Sequence, residues 1–200
     1  MPELVLASTS PFRRELLTRL GLPFRTVAPA VDETRQPGED PQALVLRLAE
    51  AKARAVAPVS PGALIIGSDQ VACIDDEVLG KPGGRAQAIA QLTRAAGRQV
   101  RFLTGLCLYD SGTDQARVLC EPFVVQFRPL TPTEIAAYVD RERPFDCAGS
   151  FKAEGLGIAL FERLEGADPN SLIGLPLIQL CRLLREAGLD PLTAPAARAA

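Results

Sequence analysis

No histidine occurs in the 200-residue chain, which removes Ser-His-Asp and Cys-His catalysis and makes a zinc site unusual. Acid-base work must fall to carboxylates, lysines or metal-bound water. The five cysteines, Cys73, Cys107, Cys120, Cys147 and Cys181, form no C-x-x-C pair and read as core thiols of a reduced cytosolic protein. A formal charge of −2 leaves no basic excess, so neither a nucleic-acid polymer nor a membrane surface is expected as a partner. Any anionic ligand must then be met by a local pocket. No charged segment followed by an apolar one opens the sequence, no apolar run approaches spanning length, and no internal repeat is visible. A soluble, cytoplasmic protein is expected.

What is present is a core-forming chain, 47% apolar, of a length that suits one domain. The reading is a single domain over residues 1–190, in two lobes, with a frayed Ala- and Pro-rich tail over 191–200. Its centre is Leu64-Ile65-Ile66-Gly67-Ser68-Asp69, where an apolar strand runs into a small-residue turn and delivers a carboxylate to the rim of a sheet. Gly80-Lys81-Pro82 closes an excursion through Asp75-Asp76, a hairpin signal that brings Lys81 back toward Asp69. An acid and a lysine on one rim suit a metal-bound phosphate substrate, the alternative being a solvated ion pair beside a turn.

Around this centre, Leu4–Ala7 reads as a strand and Ser10-Pro11 as the cap and first position of a helix that stops at Gly21. Ser8-Thr9-Ser10 thus lies between a strand end and a helix start, where free N–H groups favour an anion, and Arg13 and Arg14 fall in that first turn. A second strand is expected at Phe24–Val27, then the acidic loop Val31-Asp32-Glu33-Thr34, and a helix opened by Asp40-Pro41 that carries Lys52. On their own, Glu33 reads as loop polarity and Lys52 as a solvated side chain. Further helices are expected over 84–96, 131–141 and 176–187, with a long hairpin formed by 99–109 and 118–127. After the small-residue stretch Cys147–Gly157, residues 158–161 read as a strand. Parallel-type alternation before residue 80 and hairpins after it give an α/β fold with a mixed sheet.

Taken together, Leu-Ala-Ser-Thr-Ser-Pro-Phe-Arg-Arg-Glu-Leu-Leu (6–17), Val-Asp-Glu-Thr (31–34), Lys52, Gly-Ser-Asp-Gln (67–70), Gly-Lys-Pro (80–82), Ala-Gly-Ser-Phe-Lys-Ala-Glu-Gly (148–155) and Gly-Leu-Pro (174–176) resemble the Maf family. That resemblance covers nearly the whole chain. It implies a nucleoside triphosphate pyrophosphatase with a twisted mixed β-sheet, flanking helices and a central substrate groove, similar to the inosine triphosphate pyrophosphatases. It further implies that Ser8, Arg13, Lys52 and Lys81 face the triphosphate, that Glu33 and Asp69 hold a divalent cation (Mg, Mn or Co), and that Asp69 is the proton acceptor. A homodimer is suggested by the family alone.

Three positions separate branches. Where the pyrimidine-preferring branch reads Ser-Pro-Arg-Arg, Gly-Ala-Asp-Thr and a glutamine, this chain has Phe12, Gln70 and Glu154, the pattern of the branch that hydrolyses 7-methyl-GTP, which often carries tryptophan where Phe12 stands. N7-methylation gives guanine a positive charge, which an aromatic face attracts, and a carboxylate can accept from the guanine N1–H and amino group together. Phe12 could instead be a core aromatic at a helix start. The rival functions are a dTTP and UTP pyrophosphatase and a non-catalytic nucleotide-binding regulator of cell division.

Overall fold

The computed structural model describes residues 2–75 and 77–195. Its strands are β1 (Leu4–Ala7), β2 (Arg25–Val27), β3 (Leu64–Ile74), β4 (Glu77–Leu79), β5 (Gln99–Asp110), β6 (Gln115–Phe127) and β7 (Phe161–Gly166). The helices are α1 (Pro11–Thr18), α2 (Pro41–Val56), α3 (Arg85–Ala95), α4 (Pro132–Glu142), α5 (Pro169–Ile173) and α6 (Leu177–Glu186). Each of α1, α2, α4 and α5 begins with a side-chain cap and a proline in its first positions, and α4 closes the expected capping box between Thr131 and Glu134.

One seven-stranded mixed sheet runs β2-β1-β3-β5-β6-β7, with β4 paired to β3. β1 is parallel to β2 and β3, while β5, β6 and β7 are antiparallel to their neighbours. Helices on both faces cover strands that read as continuous apolar runs, as the buried residues of β1 and β3 show.

Asp69 does not end a strand. β3 continues to Ile74 because β5 pairs with it from Leu64 to Cys73, whereas its parallel neighbour β1 stops at Ala7, opposite Gly67. The carboxylate therefore stands mid-strand, two residues beyond the point where the neighbouring strand gives out, and a groove opens there. A second correction concerns the strand expected over 158–161: residues 158–160 belong to a 3-10 turn over Leu156–Leu160, and the strand starts at Phe161. Of the tail expected from 191, residues 196–200 lie outside the described residues; Asp190 accepts hydrogen bonds from the N–H groups of Leu192, Thr193 and Ala194.

Two glycines decide how deeply α2 docks. An added Cβ at Gly67 would lie 2.0 Å from the Ala49 carbonyl oxygen, and one at Gly105 would lie 2.1 Å from that of Val45. Only residues without a side chain let the helix backbone settle onto β3 and β5 at this distance, with Ala49 and Ala53 fully buried beneath it. Lys52, on the same helix, is thereby brought against Asp69.

No helix among the described residues is long and apolar enough to cross a membrane. Cys107, Cys120, Cys147 and Cys181 carry free thiols, the first buried and the other three half-buried.

Candidate active site

The chain leaves β1 at Ala7 and turns into α1 through Ser8, Thr9 and Ser10. Ser8 is buried and its Oγ accepts from the Ser10 N–H at 3.1 Å, while the Ser10 hydroxyl caps the Arg13 N–H at 3.4 Å. These bonds shape a helix start that presents backbone donors to the groove. From the first turn, Arg13 reaches across to donate through Nε to the Gly174 carbonyl at 2.8 Å. Burial pulls this guanidinium below its ordinary pKa, opposed by the charges of Asp69 and Glu33. An arginine stays cationic through such a shift.

Lys52 is only 6% exposed and Asp69 8%. The Lys52 ammonium donates to Asp69 Oδ1 at 2.7 Å and pairs with Glu33 Oε1, also at 2.7 Å. Burial pushes the Glu33 carboxyl up, but the hydrogen bond and charge of Lys52, aided by Lys81 and Arg13, outweigh it and hold Glu33 below the usual carboxylate range. Glu33 is therefore ionised at neutral pH. Asp69 Oδ2 accepts no hydrogen bond among the described residues, leaving one carboxylate oxygen for a water.

A divalent cation fits this arrangement. Glu33 and Asp69 converge on a single point, which the Lys52 ammonium marks at equal distance from both. Among the described residues no group of three or more His, Cys, Asp or Glu side chains could hold a metal by itself, so the protein offers two carboxylates and a ligand must complete the shell. Magnesium is commonly held in this way, by one or two carboxylates with substrate phosphates and water.

The nine residues singled out from the sequence, Ser8, Phe12, Arg13, Glu33, Lys52, Asp69, Gln70, Lys81 and Glu154, all line one groove of about 720 Å³. That volume is within the range of small-molecule sites. Beyond the charged end, the groove wall is apolar, with Leu44, Leu48, Val71, Phe102, Phe151 and Leu172. Phe12 is half-buried and belongs to none of the hydrophobic clusters among the described residues, so it faces the groove rather than the core. Glu154 is exposed and makes no hydrogen bond or ion pair among the described residues. Gln70 differs from both, because its Nε2 donates to the carbonyls of Ser171 at 2.7 Å and Leu172 at 3.2 Å and to Thr104 Oγ1 at 3.0 Å. Its amide nitrogen is thus engaged by α5, which carries Leu172 and Ile173 into the groove.

Glu154 is presented by a segment whose backbone is unusual. Gly149 and Ser150 both have positive φ, of 74° and 62°, and the Ser150 hydroxyl donates to Gln91 Oε1. The Tyr138 hydroxyl accepts from the Lys152 N–H at 3.0 Å, and Lys152 Nζ donates to the Glu142 carbonyl at 2.7 Å. Phe151 anchors the segment through edge-on contacts with Phe102, Phe127 and Phe161.

Three contributors escaped the sequence reading. Ser68 and Gly174 stood inside quoted motifs without a role, and Asp168 in none. Ser68 is fully buried on an otherwise apolar strand and donates to the Gly174 carbonyl at 2.9 Å. A lone hydroxyl in an apolar run, adjacent to the acid, was the available signal.

The comparisons with known proteins extend over nearly the whole chain. A family model described as Maf-like protein matches residues 3–187. A 7-methyl-GTP pyrophosphatase of Chromohalobacter salexigens is 61% identical over 96% of this chain and 100% of its own length. Proteins of the same name from Colwellia psychrerythraea and Alcanivorax borkumensis are 56% and 57% identical, covering 96% and 94% of this chain and 96% of each relative.

Proposed function

The chain belongs to the Maf-like family of nucleotide-hydrolysing enzymes, and from that premise we propose that its groove hydrolyses 7-methyl-GTP to 7-methyl-GMP and pyrophosphate. The observation that carries this reading is the convergence of Glu33 and Asp69 on one cation-sized point, beside Arg13 and Lys81, in the same groove as Phe12 and Glu154.

In this reading Arg13, Lys52, Lys81 and the Ser8–Ser10 turn meet the triphosphate oxygens, a local cationic cluster in a chain of formal charge −2. Asp69 takes a proton from a water as the water oxygen forms its bond to the α-phosphorus. The bond from the α-phosphorus to the α,β-bridging oxygen breaks, and pyrophosphate leaves with that electron pair. A divalent cation held by Glu33 and Asp69 would supply charge neutralisation at the phosphates and polarise the reacting centre. Lys52 must release at least one carboxylate for this, and the incoming phosphates offer its ammonium an alternative anion.

The other end of the groove reads the base. Phe12 supplies an aromatic face for the cationic 7-methylguanine ring, and Glu154, uncommitted to any protein cation, can accept from the N1–H and amino group. Gln70 acts in this reading through the Ser171–Leu172 backbone it holds. Free thiols at Cys107, Cys120, Cys147 and Cys181 suit a cytoplasmic setting for such a substrate.

The test is a panel of 7-methyl-GTP, GTP, UTP and dTTP with Mg, Mn or Co, scored for released pyrophosphate. The highest kcat/KM is expected for 7-methyl-GTP. A preference for UTP or dTTP would replace the substrate while keeping the reaction, and nucleotide binding without turnover would make the protein a regulator.

A further inference from the structure

The Gly174 carbonyl is the meeting point of three elements. It accepts from Arg13 Nε at 2.8 Å and from Ser68 Oγ at 2.9 Å, so both of its lone pairs are engaged, one from the α1 side and one from β3. The backbone around it is fixed as well. Gly174 has φ +121°, a conformation that residues with a side chain rarely adopt, and an added Cβ would lie 3.4 Å from Arg13 Nε and 3.6 Å from Arg13 Nη2. The segment that carries it is clamped at both ends by one fully buried carboxylate. Asp168 accepts from the Asn170 N–H at 2.9 Å and the Asn170 side-chain amide at 2.8 Å, and from the Ile178 N–H at the start of α6 at 2.7 Å. The cap residue of α6, Pro176, has no side-chain hydrogen bond, so this helix start borrows its acceptor from ten residues upstream.

Arg13 spends only Nε on this contact. Its two terminal nitrogens donate to no protein group among the described residues, which leaves a fork of donors aimed into the groove.

We infer that Ser68, Gly174 and Asp168 form a bracket that sets the direction of the Arg13 guanidinium, and that Ser68 is a positioning residue for binding of the polyphosphate. The inference rests on the reading that Arg13 meets the triphosphate. It gives the hydroxyl next to Asp69 a task of its own: β3 places the carboxylate of residue 69 at the groove and, one residue earlier, fixes the carbonyl that steers the phosphate-binding arginine. One strand thereby sets the spacing between water activation and phosphate capture.

The experiment is a double-mutant cycle on binding, which needs no turnover. Inorganic tripolyphosphate is titrated calorimetrically into wild type, Ser68→Ala, Arg13→Ala and the double variant, each checked by thermal melting. Ser68→Ala is expected to weaken binding about tenfold and Arg13→Ala by more, with the double variant no weaker than Arg13→Ala alone. Arg13→Lys, which keeps the charge but lacks the bond to Gly174, should lose about tenfold and stands in should Ser68→Ala fail to fold. Equal losses from Ser68→Ala with and without Arg13, wild-type affinity in either folded single variant, or no tripolyphosphate binding by wild type would each overturn the bracket. A wild type that binds tripolyphosphate yet hydrolyses no nucleoside triphosphate removes the hydrolase reading and leaves the bracket in place.

Discussion

The two ends of the groove are held by a different balance of forces. At the charged end, side chains cross between elements to meet backbone carbonyls and N–H groups: Arg13 and Ser68 on Gly174, Asp168 on Ile178. At the other end, the hydrogen bonds of the Glu154 segment, Ser150 to Gln91, the Lys152 N–H to Tyr138 and Lys152 Nζ to the Glu142 carbonyl, are joined by the edge-on cluster of Phe102, Phe127, Phe151 and Phe161 and by two left-handed residues. Hydrogen bonds have direction and packing does not. A phosphate needs donors aimed at fixed points and a flat base needs a slot of the right shape, and in the proposed reading the two ends divide in this way.

The comparison breaks most sharply at Asp69. Asp69→Asn is expected to lower kcat at least about 100-fold, and up to about 10,000-fold, while the folded protein still binds nucleotide, since a near-isosteric amide can neither accept the proton nor hold a cation strongly. Stopped turnover with an unchanged melting curve is the expected pair of results, and retention of more than about a tenth of wild-type kcat would remove Asp69 from its role.

Phe151→Ala should do the reverse. Truncating a buried ring that touches three others costs roughly 3–5 kcal/mol of folding stability, read from denaturant unfolding. A loss below about 1 kcal/mol would show that the cluster is not what holds the Glu154 segment.

A smaller effect is expected from Lys52→Met. With the ammonium gone from between Glu33 and Asp69, the nucleotide-free protein should bind Mn²⁺ about tenfold more tightly, followed by the spin-resonance signal of free Mn²⁺, even as hydrolysis falls. Equal affinity in both proteins would mean that the cation sits elsewhere.

The smallest concerns Phe12. Phe12→Ala should raise KM for 7-methyl-GTP about two- to fivefold more than for GTP, because only the methylated ring is cationic. An unchanged ratio would return Phe12 to a structural part.

The charged end was also the more legible in the sequence. A strand, a Ser/Thr turn, a capped helix and an arginine lie within ten residues, and local chemistry announces an anion site without any tertiary information. Lys52 could not be read in this way. A lysine on an amphipathic helix looks solvated until the helix is docked, and only the glycine contacts with β3 and β5 reveal its burial. Asp69 was placed at a strand end because Gly67-Ser68 resembles a turn; pairing with β5 carries the strand through, a non-local effect that propensity cannot foresee. At the other end, Ile158–Leu160 looked extended because a short apolar run carries no period, and α5 went unseen because five residues are too few to show one.

Helix α2 lying directly on Gly67 and Gly105 works as a gauge block. The distance from Lys52 to Asp69 is set where two backbones touch, and no side chain stands between them whose drift could alter it. The segment around Glu154 can therefore be rewritten without recalibrating the charged cluster. Replacement of either glycine would shim the helix away from the sheet and detune the cluster while leaving every residue that lines the groove in its place in the sequence.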